Sequence, residues 1–158
     1  MDKDSGLRKQ LIELIEGGGA HTGFVEALEK FPAELAGQRP DGAPHSLWEL
    51  LEHMRIAQWD ILQFSRDPDH KSPKWPDEYW PTSPEPPRVG AWATSVHSFR
   101  TDMQAMCALI ADPAADLNAR IPHGTGQTLL REALLLADHN SYHLGQLVLV
   151  GKMIGAWG

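Results

Sequence analysis

From Trp92 to Ile110 the large apolar residues Trp92, Val96, Phe99, Met103, Met106 and Ile110 recur at steps of four, three, four, three and four. Since 3.6 residues complete a helical turn, that rhythm gathers all six on one face of an α-helix. Three other segments keep the same rhythm. They are Leu7, Leu11, Leu14, Gly18, His21, Val25 and Leu28 near the N-terminus, then Leu47, Leu50, Leu51, Met54, Ala57 and Ile61, and finally Leu136, His139, His143, Leu147, Val150 and Ile154. No stretch alternates with period two or gathers the β-branched residues that strands favour. Four long amphipathic helices in 158 residues bury their stripes most simply against one another. The chain is therefore expected to be all-α, a single domain over residues 1–158. The architecture is a four-helix bundle with helices at about 5–36, 46–65, 88–112 and 128–155.

Local punctuation supports these bounds. Ser46 and Glu49 form a capping box, in which each side chain satisfies an amide that the first turn leaves unpaired. Thr128 is a suitable N-cap and Gly155 a suitable stop. Asp112-Pro113 ends the third helix, because a residue before proline avoids the helical region. Gly17-Gly18-Gly19 interrupts the first helix, and each glycine costs roughly 1 kcal/mol relative to alanine there. The run either breaks or kinks the helix, or lets a neighbour approach closely. Seven of the twelve prolines fall between Arg66 and Pro87, in RDPDHKSPKWPDEYWPTSPEPP. Proline removes a backbone donor and fixes φ, so this stretch is an extended crossover long enough to travel the bundle's height. Helices two and three are then parallel, with Trp75, Tyr79 and Trp80 pinning the crossover to the surface.

Composition excludes partners more than it names them. A net charge of −7 argues against nucleic acid or an anionic membrane surface as the main partner. No apolar run approaches the roughly 20 residues of a membrane span, and MDKDSGLRKQ lacks the apolar region of a signal peptide. Cys107 is the sole cysteine, which fits a reducing compartment. The expectation is a cytoplasmic protein acting on a small molecule.

The chemistry concentrates in DHNSYHLGQ, residues 138–146. His139 and His143 lie four apart on an apolar helical face, where two imidazoles can share one metal ion. The plainer reading is a pair of hydrogen-bonded core histidines. A third ligand must come from another helix, and level-matching along the bundle brings His53 to the same height. His21 faces inward but about two turns away, unless the glycine run shifts it into reach. His97 points away from its helix's stripe, and His45, His70 and His123 lie in connections and read as solvated. Asn140 and Gln146 flank the pair and can hold the outward ring nitrogens that metal-bound imidazoles need fixed. Asp60 and Glu132 sit one face-repeat from His53 and His139. Either can serve as a partner to a ligand or as a base, although a surface ion pair with a neighbouring arginine is the simpler assignment. Asn140 occupies the position where a metalloprotease HExxH carries its glutamate, so that chemistry is excluded. Cys107 reads as a buried structural thiol.

SLWELLEHMRIAQWDIL together with TLLREALLLADHNSYHLGQLVLVGKMIGAW resembles the DinB-like (DinB/YfiT) superfamily of bacterial metal-binding four-helix bundles. GGGAH and SPKWPDEYWP fit the same subgroup, so the likeness covers nearly the whole chain. The resemblance implies a divalent transition metal, zinc or nickel, held by His53, His139 and His143, and a homodimer. Some relatives are thiol transferases using bacillithiol or mycothiol, and others are thiol-dependent maleylpyruvate isomerases, whose arginine contacts have no counterpart that can be placed here.

Three neutral histidines leave coordination positions open, as a catalytic site requires. The first functional expectation is a metal-dependent transferase that presents a low-molecular-weight thiol to a small electrophile. His21, Gly17–Gly19 and Trp80 would shape its pocket. The alternatives are a non-catalytic stress or interaction protein stapled by the metal, and a metal-dependent hydrolase with Glu132 or Asp60 as base.

Overall fold

A computed structural model describes residues 4–157. Five α-helices and no strand are present among them: α1 (Ser5–Glu16), α2 (Phe24–Lys30), α3 (Leu47–Arg66), α4 (Ala91–Ala111) and α5 (Leu129–Met153). The first element expected at 5–36 is thus two helices. Gly17 and Gly18 take φ of +75° and +90°, a left-handed conformation that ends α1 and redirects the chain. The N-terminal stripe changes with it. Leu14 is 52% exposed, whereas Arg8, Leu11 and Ile15 are buried. The Arg8 guanidinium reaches across to α4 and donates to the carbonyls of Ile110 and Ala115, each at 2.7 Å. Those bonds hold α1 with the 8–11–15 face inward.

The other three long helices form as the sequence predicts. The Ser46 hydroxyl accepts from the Glu49 amide and the Glu49 carboxylate accepts from the Ser46 amide, completing the capping box. The Thr128 hydroxyl accepts from the Arg131 amide at the start of α5. Asp67 and Asp112, each before a proline, leave the helical region and terminate α3 and α4. Phe99, Leu51, Met54, Leu62, Met106 and Leu136 are fully buried at the bundle axis.

Pairings between helices fix their directions. Glu52 faces Ser95 and Gln58 faces Phe99, so α3 and α4 run parallel. His53 faces His143 and Gln58 faces Asn140, so α5 runs antiparallel to α3. Phe24 packs on Phe99 and Phe31 on Trp92, which sets α2 antiparallel to α4. The crossover from Asp67 to Gly90, the strap below, returns along α3 from its C-terminal end to its start, where the Ser46 hydroxyl donates to the Pro84 carbonyl at 2.7 Å. It carries a single 3-10 turn at Asp77–Tyr79. No helix among the described residues is long and apolar enough to cross a membrane.

Candidate metal centre

His53 projects from the second turn of α3, while His139 and His143 project from successive turns of α5. The antiparallel packing of these helices puts one nitrogen from each ring within 4.8 Å of the other two. His53 Nε2 and His139 Nε2 are 3.1 Å apart. The His139 and His143 ring centroids are 4.5 Å apart and steeply inclined, so the rings face a common point instead of stacking.

Hydrogen bonds decide which nitrogens are free. His53 Nδ1 lies 2.9 Å from the Tyr79 carbonyl, and a carbonyl only accepts, so Nδ1 carries the proton. His143 Nδ1 lies 2.7 Å from Gln146 Oε1 and donates in the same way. Burial, the larger cause, holds His53 at a pKa of about 4, with the neighbouring His143 and His45 adding to the effect against the Tyr79 carbonyl. Burial first, then His143 and His53, brings His139 down to about 4 as well. His143 is lowered for the same primary reason. All three rings are therefore neutral at pH 7; the His143 Nε2 lone pair is free, and that of His53 accepts from His139 Nε2–H at 3.1 Å, the bond a metal ion would replace.

These donors fit a transition-metal ion. Two of the three rings have their outward nitrogen held, as metal-bound imidazoles require. Two buried polar atoms, His139 Nδ1 and Asn140 Oδ1, have no hydrogen-bond partner. His139 Nδ1 becomes a proton carrier once Nε2 gives up its lone pair, and Asn140 Oδ1 is an acceptor on the adjacent residue. Three imidazoles suit a transition-metal ion better than calcium or magnesium, which prefer oxygen.

The pattern of the DinB superfamily matches residues 19–147, more than half of the chain. The chain belongs to that superfamily. No match is found among curated proteins or among solved structures. The family match spans α2 to most of α5 and includes all three histidines of this DinB-superfamily chain.

The remaining expected residues divide. Gln146 holds His143, and Trp80 stacks on His53 with centroids 3.9 Å apart and planes within 2°. Asn140 Nδ2 donates to Gln58 Oε1, and Gln58 Nε2 donates to the Phe99 carbonyl, a buried link joining α5, α3 and α4, while the Asn140 side chain beside His139 partly offsets the lowering there. Asp60 acts at one remove, accepting from the Tyr79 hydroxyl at 2.5 Å and from His70 Nε2 at 2.7 Å. That grip holds the strap segment whose carbonyl fixes His53. Glu132 is buried and paired with Arg131 at 2.7 Å, away from the histidines. His21 is exposed, with Nδ1 against the Thr22 carbonyl at 2.9 Å, because the chain turns outward after Gly18 and the continuous helix that would have aimed it inward is absent. His97 is exposed, as expected. Burial, with Glu16 second, raises the Cys107 thiol to about 11, so it stays protonated and unreactive.

Two connection histidines that read as solvated in the sequence are partly buried in the fold. His70 is nearly buried against Asp60, and His45 stacks on Trp80 at 4.1 Å. Tyr79 and Gln58 were also missed as polar supports. A histidine or tyrosine in a proline-rich connection has no periodicity to reveal what it faces. Gln58 directly follows inward Ala57, which is the one local hint of its burial.

Proposed function

We propose that the chain binds a divalent transition metal, zinc or nickel, through His53, His139 and His143, and uses it to transfer a low-molecular-weight thiol to a small electrophile. The observation that carries this reading is the convergence of three neutral imidazoles, two with the opposite nitrogen already engaged. Three protein ligands leave room for an exogenous one. His53, His139 and His143 would hold the ion, and coordination to it would lower the pKa of a sulfhydryl, as coordination does that of water.

The protein's own part is positioning. Tyr79 and Gln146 fix ring orientation, and Trp80 covers the face of His53 and keeps water from it. The thiol proton leaves to solvent, the sulfur pair forms the new bond to the electrophilic carbon, and the leaving group departs with the pair of the bond that breaks. The hydrolytic alternative has less support, since Asp60 and Glu132, the bases it would use, both accept hydrogen bonds from other partners. The closure of Trp80 over His53 favours one other reading, a metal that staples strap to bundle without turnover. A homodimer and a cytoplasmic location are expected.

The deciding experiment is metal content by plasma mass spectrometry, followed by thiol addition to the cobalt-substituted protein. One equivalent of metal and a sulfur-to-cobalt charge-transfer band support the transferase. Metal without a thiol band supports the staple. Metal-free protein after reconstitution sinks both.

A further inference from the structure

Beside the three histidines lies a second feature that the metal reading leaves unused. A hollow of about 300 Å³ opens between the connection at Gly42–His45 and the C-terminal half of α5. We propose that it seats the electrophilic partner, a neutral and largely apolar molecule bearing one hydrogen-bond acceptor. The assignment of this occupant to the electrophile rests on the transferase reading above.

Size comes first. A cavity of roughly 150 Å³ accepts benzene, and ligand pockets begin at about 300 Å³. The hollow therefore has room for an aromatic ring with a short substituent. Its walls come mainly from Leu50, Leu149, Val150 and Met153. No lysine, arginine, aspartate or glutamate lines it. A charged ligand would lose its hydration there with no counter-charge in return. That argues against the carboxylate-bearing body of a peptide-like thiol and for the uncharged reactant.

Only two side chains with hydrogen-bonding groups line the hollow, and both connect to the histidine centre. Gln146 turns its oxygen to His143 Nδ1, which leaves its amide NH2 without a partner in the described protein. An amide NH2 donates, so it selects an acceptor such as a ketone, ester or ether oxygen. His45 makes no hydrogen bond in the described structure. Its ring lies on Trp80, whose ring lies on His53. One side chain thus separates the hollow from His143, and two stacked rings lead from it to His53. A molecule seated there adjoins the centre from outside, at the Nδ1 side of His143 and the outer side of the Trp80 stack, and its reactive end has to extend past Gln146 to reach the metal side of the rings.

The test uses the full-length, metal-free protein and three probes of similar size: propiophenone, benzoate and propylbenzene. Methyl and imidazole NMR signals are followed during each titration. Propiophenone is expected to shift the methyls of Leu149, Val150 and Met153 saturably, together with the His143 and His45 ring signals. Propylbenzene, which lacks the acceptor, should bind severalfold more weakly. Benzoate should bind at least tenfold more weakly. The double variant Leu149→Ala/Met153→Ala changes two half-exposed positions, so the fold survives, and it should weaken propiophenone about tenfold. Equal binding of benzoate overturns the proposal. Silent methyls overturn it too, including the case where sedimentation shows a second copy covering the hollow. Shifted methyls with an unmoved His143 ring would mean that the hollow does not serve this centre. Ketone binding by a protein that takes up no metal keeps the seat and removes the transferase reading, so the two failures are distinguishable.

Discussion

The three histidines are held in two different ways. His139 and His143 stand on one uninterrupted helix, where i and i+4 side chains stack by geometry alone. His53 also stands on a helix, but its ring is oriented from outside. The Tyr79 carbonyl takes its Nδ1–H, Trp80 lies flat on its face, and both groups belong to a proline-rich strap with one short turn of structure of its own. The strap in turn is fastened to the bundle by Asp60, which accepts from Tyr79 and His70, and by Ser46, which donates to Pro84. Helix geometry is cheap to encode and hard to disturb. An orientation delivered through a strap depends on every fastening, so the two halves of the centre should respond differently to perturbation.

Loss of a ligand should ignore that distinction and gives the largest effect. His53→Ala, His139→Ala and His143→Ala are each expected to abolish stoichiometric metal binding, read as metal content after gel filtration. A variant that retains a full equivalent is not missing a ligand, and the comparison then loses its premise.

The next effect separates the halves. Tyr79→Phe keeps the carbonyl and removes the hydroxyl that Asp60 holds, and Asp60→Ala removes the fastening outright. Loss of such outer support typically weakens metal affinity 10–100-fold. The expected order is Asp60→Ala more severe than Tyr79→Phe, because Asp60 also holds His70. Chelator competition gives the affinity, and tryptophan emission of the metal-free protein reports whether Trp80 has left His53. Unchanged emission and affinity in Asp60→Ala would show that the strap rides passively on the bundle.

The same contrast explains which parts could be read in advance. Apolar spacing identified three of the long helices, and helix spacing plus bundle level identified His53, His139 and His143 together. Both signals are periodic and survive in a bare sequence. The strap has no period, so nothing marked Tyr79 as the partner of His53, or His45 and His70 as packed side chains. His21 failed for a related reason. Its inward aim assumed a continuous helix through Gly17–Gly19, and two positive φ angles ended that helix first. Leu14 and Ile15 are both apolar, and the sequence does not show the long-range bonds of Arg8 that accompany the register with Ile15 inward.

Acidification tests the cost of burying the rings without metal. His53 and His139 have folded pKa values of about 4, below the value near 6.5 of an exposed imidazole. Between those limits the unfolded chain binds more protons than the folded one, so stability falls as pH falls from about 6.5 towards 4 and is level above. The melting temperature of the metal-free protein should follow that course. His53→Gln and His139→Gln should each flatten it. A slope unchanged in His139→Gln would mean that the imidazole is hydrated in solution.

The smallest expected effect lies where bundle and strap meet. Ser46 does two things with one hydroxyl: it caps α3 by accepting from the Glu49 amide at 3.2 Å, and it holds the strap by donating to the Pro84 carbonyl at 2.7 Å. Ser46→Ala removes both, and loss of an N-cap costs about 1 kcal/mol. Ser46→Asp separates the roles, because a carboxylate still accepts from the helix amide but cannot donate to Pro84. Urea denaturation should therefore find the aspartate variant nearer to wild type than the alanine variant. Metal affinity should fall by similar, small factors in both, since both release the strap at the end away from Asp60. If the aspartate variant keeps full affinity, Asp60 alone secures Tyr79, and the fastening at Ser46 serves only to set the parallel course of α3 and α4.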